Sequence, residues 1–230
     1  MERTIVWAVA LSILVVAGSA AGDVILTVSC TADGLSTTQD FPIQCQQNVA
    51  DWTLKSPCDI TVQGVRLAQI KELSLQSDNE PYVNLHFSVE ADNADLLFDI
   101  SSAIVNFSPL PSPTAYASAG LTLTADANGA TAAGAFDGGA CYEARVDGGT
   151  FADLVPGFST VNQSETHSDR LPAAGYEPIS PSASSIQSEF KFTLTALEQA
   201  SGTSRFEVVP EPVTLSLLGM CGLVLVRRRR

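Results

Sequence analysis

The densest cluster of oxygen-bearing side chains in the sequence lies between residues 90 and 99. It contains Glu90, Asp92, Asn93, Asp95 and Asp99. A hard cation such as Ca²⁺ binds several carboxylate and amide oxygens at once. Glu90, Asp92, Asn93 and Asp95 are therefore candidate Ca²⁺ ligands, although the segment lacks the glycine and the closing glutamate of an EF-hand loop. The alternative interpretation is a solvated turn.

Cysteines are a second set of reactive residues, which could form disulfide bonds or bind a metal. Cys30, Cys45, Cys58 and Cys141 precede a fifth cysteine, Cys221, which lies in an apolar segment near the C-terminus. An even number of cysteines in an exported domain is typical of two disulfide bonds. Three pairings are open, and the clustering of the first three favours a local bond such as Cys45 with Cys58, which leaves Cys30 with Cys141. Metal binding is the weaker interpretation because no Cys-x-x-Cys pair occurs.

Catalytic motifs are missing from the sequence. It contains no Gly-x-Ser-x-Gly elbow, phosphate loop or dinucleotide fingerprint. His86 and His167 are isolated and are interpreted as surface residues. Any acidic chain contains carboxylate pairs, so such pairs are not specific evidence for a glycoside hydrolase. A hydrolase is therefore the least favoured of three hypotheses, and no enzyme is predicted. Five aromatic residues could instead form a sugar-stacking platform, with ordinary core or rim packing as the alternative: Trp52, Tyr82, Tyr116, Tyr142 and Tyr176.

The charge of the central region excludes one class of partner. Between Asp23 and Phe206 the chain has 22 acidic and 7 basic residues. No basic stripe is present to neutralise phosphates, so nucleic acid is not an expected partner. The same excess of carboxylates argues against docking on an anionic membrane surface.

Alternation of apolar and polar residues is the main structural signal. It is clearest where Val83, Leu85, Phe87 and Val89 are separated by polar residues. The same period occurs at 60–62, 121–124, 144–146 and 190–194, with less regular candidates at 24–29 and 96–107. This period places one face of each strand on a core and the other in water. We therefore predict an all-β fold, an antiparallel β-sandwich of jelly-roll type, in which only 68–75 has a helical option.

Turn-forming residues separate these strands. Four dipeptides are typical of hairpins: Asp33-Gly34, Asn128-Gly129, Asp137-Gly138 and Asp147-Gly148. The last three are spaced at the rhythm of a sandwich or barrel. The prolines at 109, 111 and 113 predict a loop, and 171–185, which is rich in Pro, Ser and Ala, predicts a second.

The N-terminus has the layout of a secretory signal peptide. Arg3 provides positive charge, 5–17 is apolar, and small residues at 18–22 provide a cleavage site. We therefore expect residues 1–21 to be a signal peptide and the exported domain to cover 22–208.

The C-terminal segment 209–230 has three parts in a fixed order. Pro210, Glu211 and Pro212 come first and the uncharged run 213–226 follows. As a helix this run would be roughly 21 Å long, shorter than the ~30 Å hydrocarbon core, which favours a transient anchor over a permanent one. Prolines should keep the triplet extended. The chain then ends on four basic residues that should stay in the cytoplasm: Arg227, Arg228, Arg229 and Arg230.

This tail resembles the PEP-CTERM sorting signal of Gram-negative bacteria, with a transmembrane helix over 213–226. The resemblance implies that the chain is a substrate of an exosortase, a membrane-embedded transpeptidase-like enzyme. Such an enzyme cuts near the triplet and transfers the product to the cell surface or the exopolysaccharide matrix. The segment 186–209 is similar to the last strand pair that leads into the signal in short surface proteins with this tail. The alternative is an ordinary tail anchor that contains Pro-Glu-Pro by chance.

These observations predict an exported cell-surface or matrix protein with a structural or adhesive body. A carbohydrate-binding module that acts on exopolysaccharide, with or without Ca²⁺, is the alternative. No other cofactor is expected.

Overall fold

The structure is a computed structural model that describes residues 24–32, 35–43, 49–78, 81–179 and 181–210. Most of these residues form β-strands, and they include one 3₁₀ turn at Asp137–Gly139. In chain order the strands are β1 (Val24–Ala32), β2 (Leu35–Ile43), β3 (Ala50–Thr53), β4 (Cys58–Val62), β5 (Val65–Asp78), β6 (Tyr82–Ala91), β7 (Leu96–Ser101), β8 (Val105–Pro111), β9 (Pro113–Thr124), β10 (Ala130–Gly134), β11 (Ala140–Val146), β12 (Gly149–Pro156), β13 (Phe158–Thr160), β14 (Ser164–Leu171), β15 (Glu177–Pro178), β16 (Ser182–Leu194) and β17 (Gln199–Pro210).

The strands form two antiparallel sheets. The first sheet has the order β12-β11-β16-β7-β1-β2, with β8 and β10 pairing with β16, and β13 pairing with β10. The second sheet has the order β14-β9-β17-β6-β5-β3, with β15 pairing with β9, and β4 pairing with β5. The predicted all-β fold is confirmed, and the two sheets are consistent with a β-sandwich.

Aromatic rings from the two sheets meet in the core. Phe87 of β6 contacts Phe190 of β16 edge to face, with ring centroids 4.9 Å apart, and stacks on Phe192 at 5.9 Å. Phe151 of β12 stacks on Phe206 of β17 at 5.5 Å. All of these rings except Phe151 are fully buried, so the two inner faces share one apolar core.

The alternation prediction is confirmed where it was strongest. Val83, Leu85, Phe87 and Val89 are all at most 1% exposed, and the residues between 83 and 87 are only half-buried. The strands β16, β9 and β11 likewise contain the predicted 190–194, 121–124 and 144–146 segments. The 96–107 candidate divides into two strands, β7 and β8.

The helical option at 68–75 is wrong, because these residues lie inside β5. A β-bulge between Ile70 and Glu72 shifts the register against β6. The extra residue moves the buried positions from Ala68 and Ile70 to Leu73 and Leu75. A spacing of three between Ile70 and Leu73 results, and this spacing imitates one helical turn.

The predicted loops are partly wrong. Pro109 and Pro111 lie in β8, which pairs only with β16 among the described strands. An edge strand tolerates proline because its missing N–H is not needed by a second neighbour. Residues 171–185 contain β15 and the start of β16 as well as loop.

One predicted hairpin dipeptide is confirmed within the described residues, and two are wrong. Asp147 and Gly148 have φ values of 48° and 79°, and they join the paired strands β11 and β12. Positive φ at both central positions is the type I′ geometry that glycine and aspartate favour. Asn128-Gly129 instead connects strands of different sheets, and Asp137-Gly138 lies in the 3₁₀ turn between β10 and β11, which do not pair. Asp33 and Gly34 lie outside the described residues.

The Cys30–Cys141 pairing is absent from this structure. Both thiols are free and buried. Cys30 is on β1 and Cys141 on β11, with β7 and β16 between them. Three strand spacings correspond to about 14 Å, whereas bonded cysteines have Cα atoms at most about 7 Å apart. Cys58 likewise forms no disulfide within the described residues, and Cys45 lies outside them, so a Cys45–Cys58 bond stays a prediction.

The C-terminal end of the fold lies slightly beyond the predicted boundary at residue 208. Strand β17 continues to Pro210, which lies opposite Pro113 of β9. Within the ranges that the structure describes there is no apolar helix of membrane-spanning length. The predicted signal peptide, the rest of the sorting motif (Glu211 and Pro212), the helix 213–226 and the four terminal arginines lie outside those ranges.

Candidate functional site

The outer face of the second sheet carries a row of tyrosine and glutamate side chains. Strand β17 lies between β6 and β9, and Glu207 of β17 is directly opposite both Tyr82 and Tyr116. The neighbouring outward residue, Arg205, is opposite Ser118 of β9. The inward residue between them, Phe206, is fully buried, so Arg205 and Glu207 face away from the core.

Two guanidinium groups lie over two of these tyrosine rings. The Arg205 guanidinium carbon is 5.2 Å from the centroid of Tyr82, and that of Arg170 is 4.7 Å from the centroid of Tyr116. Tyr176 meets Tyr116 edge to face, with centroids 5.0 Å apart. Both distances to the guanidinium carbons fall within cation–π range, so the rings and cations hold each other in place.

Glu207 connects the two ends of this group. Its Oε2 accepts hydrogen bonds from Arg205 Nε at 3.0 Å and Nη2 at 2.6 Å, and its Oε1 accepts from the Tyr176 hydroxyl at 3.0 Å. The hydrogen bond from Arg205 to Glu207 raises the pKa of the guanidinium. Burial and the nearby Glu207 raise the pKa of the Tyr176 phenol above its ordinary 10.0. Tyr176 is therefore a neutral hydrogen-bond donor at physiological pH.

An open groove of about 710 Å³ lies beside this group, between β9, β14 and β17. Hydroxyl groups and the two guanidiniums line it: Ser118, Thr166, Ser168, Thr203, Arg170 and Arg205. Partial burial raises the pKa of the neighbouring Tyr116 phenol, although Arg205 and Arg170 oppose the shift. We name the groove together with Tyr82, Tyr116, Tyr176 and Glu207 the Tyr–Arg groove.

The chemistry of the Tyr–Arg groove suits a ligand rich in hydroxyl groups. Tyrosine offers an apolar ring face with a polar edge, and Ser, Thr and Arg donate and accept hydrogen bonds around it. A binding site usually combines such a surface with a few converging polar groups. Tyr176 is 43% exposed, so its ring is accessible to a partner.

The structure brings together three of the five aromatic residues that were proposed as a sugar platform. Tyr82, Tyr116 and Tyr176 belong to the Tyr–Arg groove. Tyr142 is fully buried, and its hydroxyl is 3.0 Å from that of Ser188. Trp52 is partly buried in another part of the second sheet, where it packs on Phe41 at 5.5 Å.

The candidate Ca²⁺ ligands are not brought together. Glu90 forms an ion pair with Lys71, and Asp92 accepts a hydrogen bond from Arg66 at 3.1 Å. Asp95 Oδ1 accepts the Ala196 backbone N–H at 3.0 Å. Asn93 donates to Asp92 at 3.0 Å, and Asp99 pairs with Lys191 at 2.8 Å. Nowhere in the described part of the chain do three or more His, Cys, Asp or Glu side chains form a group suited to a metal ion.

Both histidines lie on strands. His86 is on the polar side of β6, as predicted, 3.0 Å from Glu72. His167 belongs to β14, where its ring stacks on Phe158 at 4.0 Å and its Nε2 lies 2.9 Å from Glu165. The residues that contact His86 and those that contact His167 are different.

A pair of carboxylates does occur on the outer face of the first sheet. Glu143 and Glu189 lie opposite each other on β11 and β16 and are 7% and 6% exposed. Arg145 contacts both, with Nη1 2.7 Å from Glu189. Burial, together with nearby Asp99, raises the pKa of Glu189 above its ordinary 4.5. The shared guanidinium makes this pair an ion-pair cluster of the sheet surface.

Arg170 and Arg205 are functional-site residues that the sequence patterns did not predict. The available signal was alternation: Thr203, Arg205 and Glu207 are the outward positions of a strand whose inward positions are apolar or small. Arg170 gave no comparable signal, because its contact with Tyr116 depends on the pairing of β14 with β9.

No protein-family model matches the chain, and no curated protein matches its sequence.

Proposed function

We propose that the chain is an exported, non-enzymatic protein of the cell surface or extracellular matrix, sorted and processed by an exosortase. The order of Pro-Glu-Pro, apolar run and arginine cluster carries this proposal. The predicted signal peptide at the other end supports it, because both segments act in export. The helix 213–226 would anchor the chain in the membrane before cleavage.

The end of β17 is compatible with processing immediately after the folded body. Pro210 is exposed, is the last residue of β17 and is also the first residue of the sorting motif. The body and the motif are thus contiguous, and a jelly-roll-like sandwich would sit close to the bilayer until it is released.

Fractionation of cells and mass spectrometry of the mature C-terminus test this proposal. Loss of the residues after the triplet, with recovery of the body at the cell surface or in the matrix, is the expected result. A stable membrane protein that still ends in Arg230 would contradict processing and would leave an ordinary tail anchor. A variant with Pro210 and Pro212 changed to alanine should accumulate uncleaved, and a variant with Pro109 changed to alanine serves as a control for general proline effects.

In this proposal the body has a structural or adhesive role. One observation favours a more specific role, the binding of a ligand. The Tyr–Arg groove presents an accessible ring, two cations and several hydroxyl groups on one sheet face. This surface supports the second candidate, a carbohydrate-binding module that recognises exopolysaccharide. Saccharide binding in the groove does not require Ca²⁺ in this proposal, because Arg170 and Arg205 already supply positive charge.

Retention of the purified full chain on immobilised polysaccharides, with and without a chelator, tests the second candidate. Retention that survives the chelator is expected. A protein that passes unretained over all polysaccharides would leave only the structural role.

A further inference from the structure

Arg170 differs from the other arginines that the structure describes. Arg66, Arg145 and Arg205 each form an ion pair with an aspartate or glutamate. Among the residues that the structure describes, no carboxylate forms an ion pair with Arg170, although acidic residues outnumber basic residues about three to one between Asp23 and Phe206. Its Nη2 donates to the Gly175 carbonyl at 2.9 Å, and its guanidinium carbon lies 4.7 Å from the centroid of the Tyr116 ring.

The remaining donors of Arg170 are oriented by their surroundings. A guanidinium has five N–H donors, and Gly175 accepts from one nitrogen only. Stacking on Tyr116 and the bond to Gly175 fix the position of the group, which reduces the entropy that a ligand must overcome. The exposed side chain forms one wall of the groove, next to hydroxyl groups of Thr166 and Ser168.

The carboxylates near the groove do not compete for this cation. Glu207 is already held by Arg205 and by the Tyr176 hydroxyl. Asp169 lines the groove, and its Oδ1 accepts the backbone N–H of Arg170 at 2.7 Å. The guanidinium of Arg170 is therefore left for an external acceptor, and a planar carboxylate is the acceptor that fits its fork geometry.

We propose that the Tyr–Arg groove selects acidic saccharides, with Arg170 binding the carboxylate of a uronate unit while the exposed ring of Tyr176 packs against an adjoining sugar. This inference rests on the carbohydrate-binding role proposed above and names its ligand class. Ser and Thr hydroxyls of β9, β14 and β17 bind the sugar hydroxyls. The acidic body repels a polyanion at long range, but screening over about 8 Å at physiological salt leaves the short contacts in the groove to decide binding.

The test compares two probes on the purified full chain at physiological salt: an alginate oligosaccharide, which has a carboxylate on every unit, and a neutral cello-oligosaccharide of equal length. Tighter binding of alginate is expected, with a loss of at least about tenfold in R170Q, because one charge-assisted contact disappears. R170K should recover only part of the affinity, since it keeps the charge without the fork. R66Q removes the same charge from an ion pair elsewhere on the second sheet and should bind like the unmodified chain.

Each other outcome identifies which idea fails. Equal alginate affinity in the unmodified chain and R170Q overturns the role of Arg170, and preference for the neutral oligosaccharide overturns acidic selectivity while the carbohydrate-binding role survives. Binding of neither probe overturns the acidic-saccharide proposal, and the carbohydrate-binding role is then decided by the polysaccharide retention experiment described above. Arg170 is exposed, so circular dichroism and the Tm of R170Q should match those of the unmodified chain, which separates lost binding from lost folding.

Discussion

Gly202 and Phe87 lie directly opposite each other on β17 and β6, and the phenyl ring covers the glycine. A Cβ atom at position 202 would lie 2.3 Å from Cε1 of Phe87. Real Cβ atoms essentially never come this close to another atom, so any side chain at position 202 requires Phe87 to move. The ring in turn contacts Phe190 and Phe192 of the other sheet. Glycine at 202 is therefore a packing requirement of the shared core.

The G202A substitution should destabilise the fold by about 1–3 kcal/mol, because Phe87 must leave its place between the sheets. Chemical denaturation of the purified chain measures this difference. G120A is the matched control: a Cβ there would lie 3.7 Å from its nearest neighbours, in ordinary contact, and its effect should stay within about 0.5 kcal/mol. Equal midpoints for G202A and the unmodified chain would contradict the packing argument.

Asp147 connects the β11–β12 hairpin to the start of β16. Its Oδ1 accepts hydrogen bonds from the backbone N–H groups of Ser184 and Ser185 at 3.0 and 2.9 Å, and from their hydroxyls at 2.9 and 3.2 Å. Burial opposes the charged form, but these hydrogen bonds outweigh it and lower the pKa of Asp147 below its ordinary 3.8. The depressed pKa contributes stability that is present above pH 3.8 and is lost as pH falls through the folded-state value.

D147N should reduce stability at pH 7 by about 0.5–1.5 kcal/mol, because a neutral acceptor replaces a charged one. Asparagine tolerates the positive φ of 48° at this position, so the comparison isolates the charge. The gap between D147N and the unmodified chain should shrink as pH falls below 3.8, as followed by Tm against pH. A gap that is independent of pH would show that the charge is not responsible.

The two buried cysteines should be chemically inert in the native protein. Burial raises the pKa of Cys30 and of Cys141 to about 12, so at pH 8 only about one thiol in ten thousand is the reactive thiolate. Neither should react with iodoacetamide until the protein is unfolded, as read by mass spectrometry of peptides. Rapid labelling of either in the native state would contradict the described packing.

Cys58 provides the comparison within the same experiment. It is only partly buried. If it is bonded to Cys45, a non-reducing digest should contain a linked peptide; otherwise it should label faster than Cys30 and Cys141. The C58S variant should abolish that linked peptide.

Tyr176 should determine saccharide retention more than stability. Its removal in Y176A should weaken binding about three- to tenfold, the equivalent of one lost aromatic contact. Y176F keeps the ring but loses the bond to Glu207, and should have an intermediate effect. W52F alters an aromatic residue outside the groove and should bind normally. Reduced retention of W52F together with normal retention of Y176A would assign the binding surface elsewhere.

Local patterns in the sequence determined most of the correct fold predictions. Alternation at Val83–Val89 required only a period of two, and the Asp147-Gly148 turn required only residue types that accept positive φ. The β-bulge after Ile70 defeated the same reasoning, because a single inserted residue converts a strand pattern into a helical one. Hairpin dipeptides also could not reveal whether the next strand joins the same sheet.

The candidate site depended on long-range strand order, which no local pattern contains. Tyr82, Tyr116 and Tyr176 are far apart in the chain and meet only because β9 lies between β15 and β17, and β17 lies beside β6. Residue types alone made the tyrosines candidates. The contribution of Arg170 and Arg205 needed the register between strands.

The central position of β17 determines when the fold of the body can be completed. This strand is the last part of the described fold, yet it lies between β6 and β9 in the middle of the second sheet. Until residues 199–210 arrive, β6 and β9 have no common neighbour, and long-range pairing of this kind closes slowly. In an exported chain that crosses the membrane from its N-terminus, the body can therefore complete its fold only when the segment next to Pro210 has emerged. If the chain is exported and its tail reaches the membrane as proposed, completion of the fold of the body and arrival of the tail at the membrane coincide.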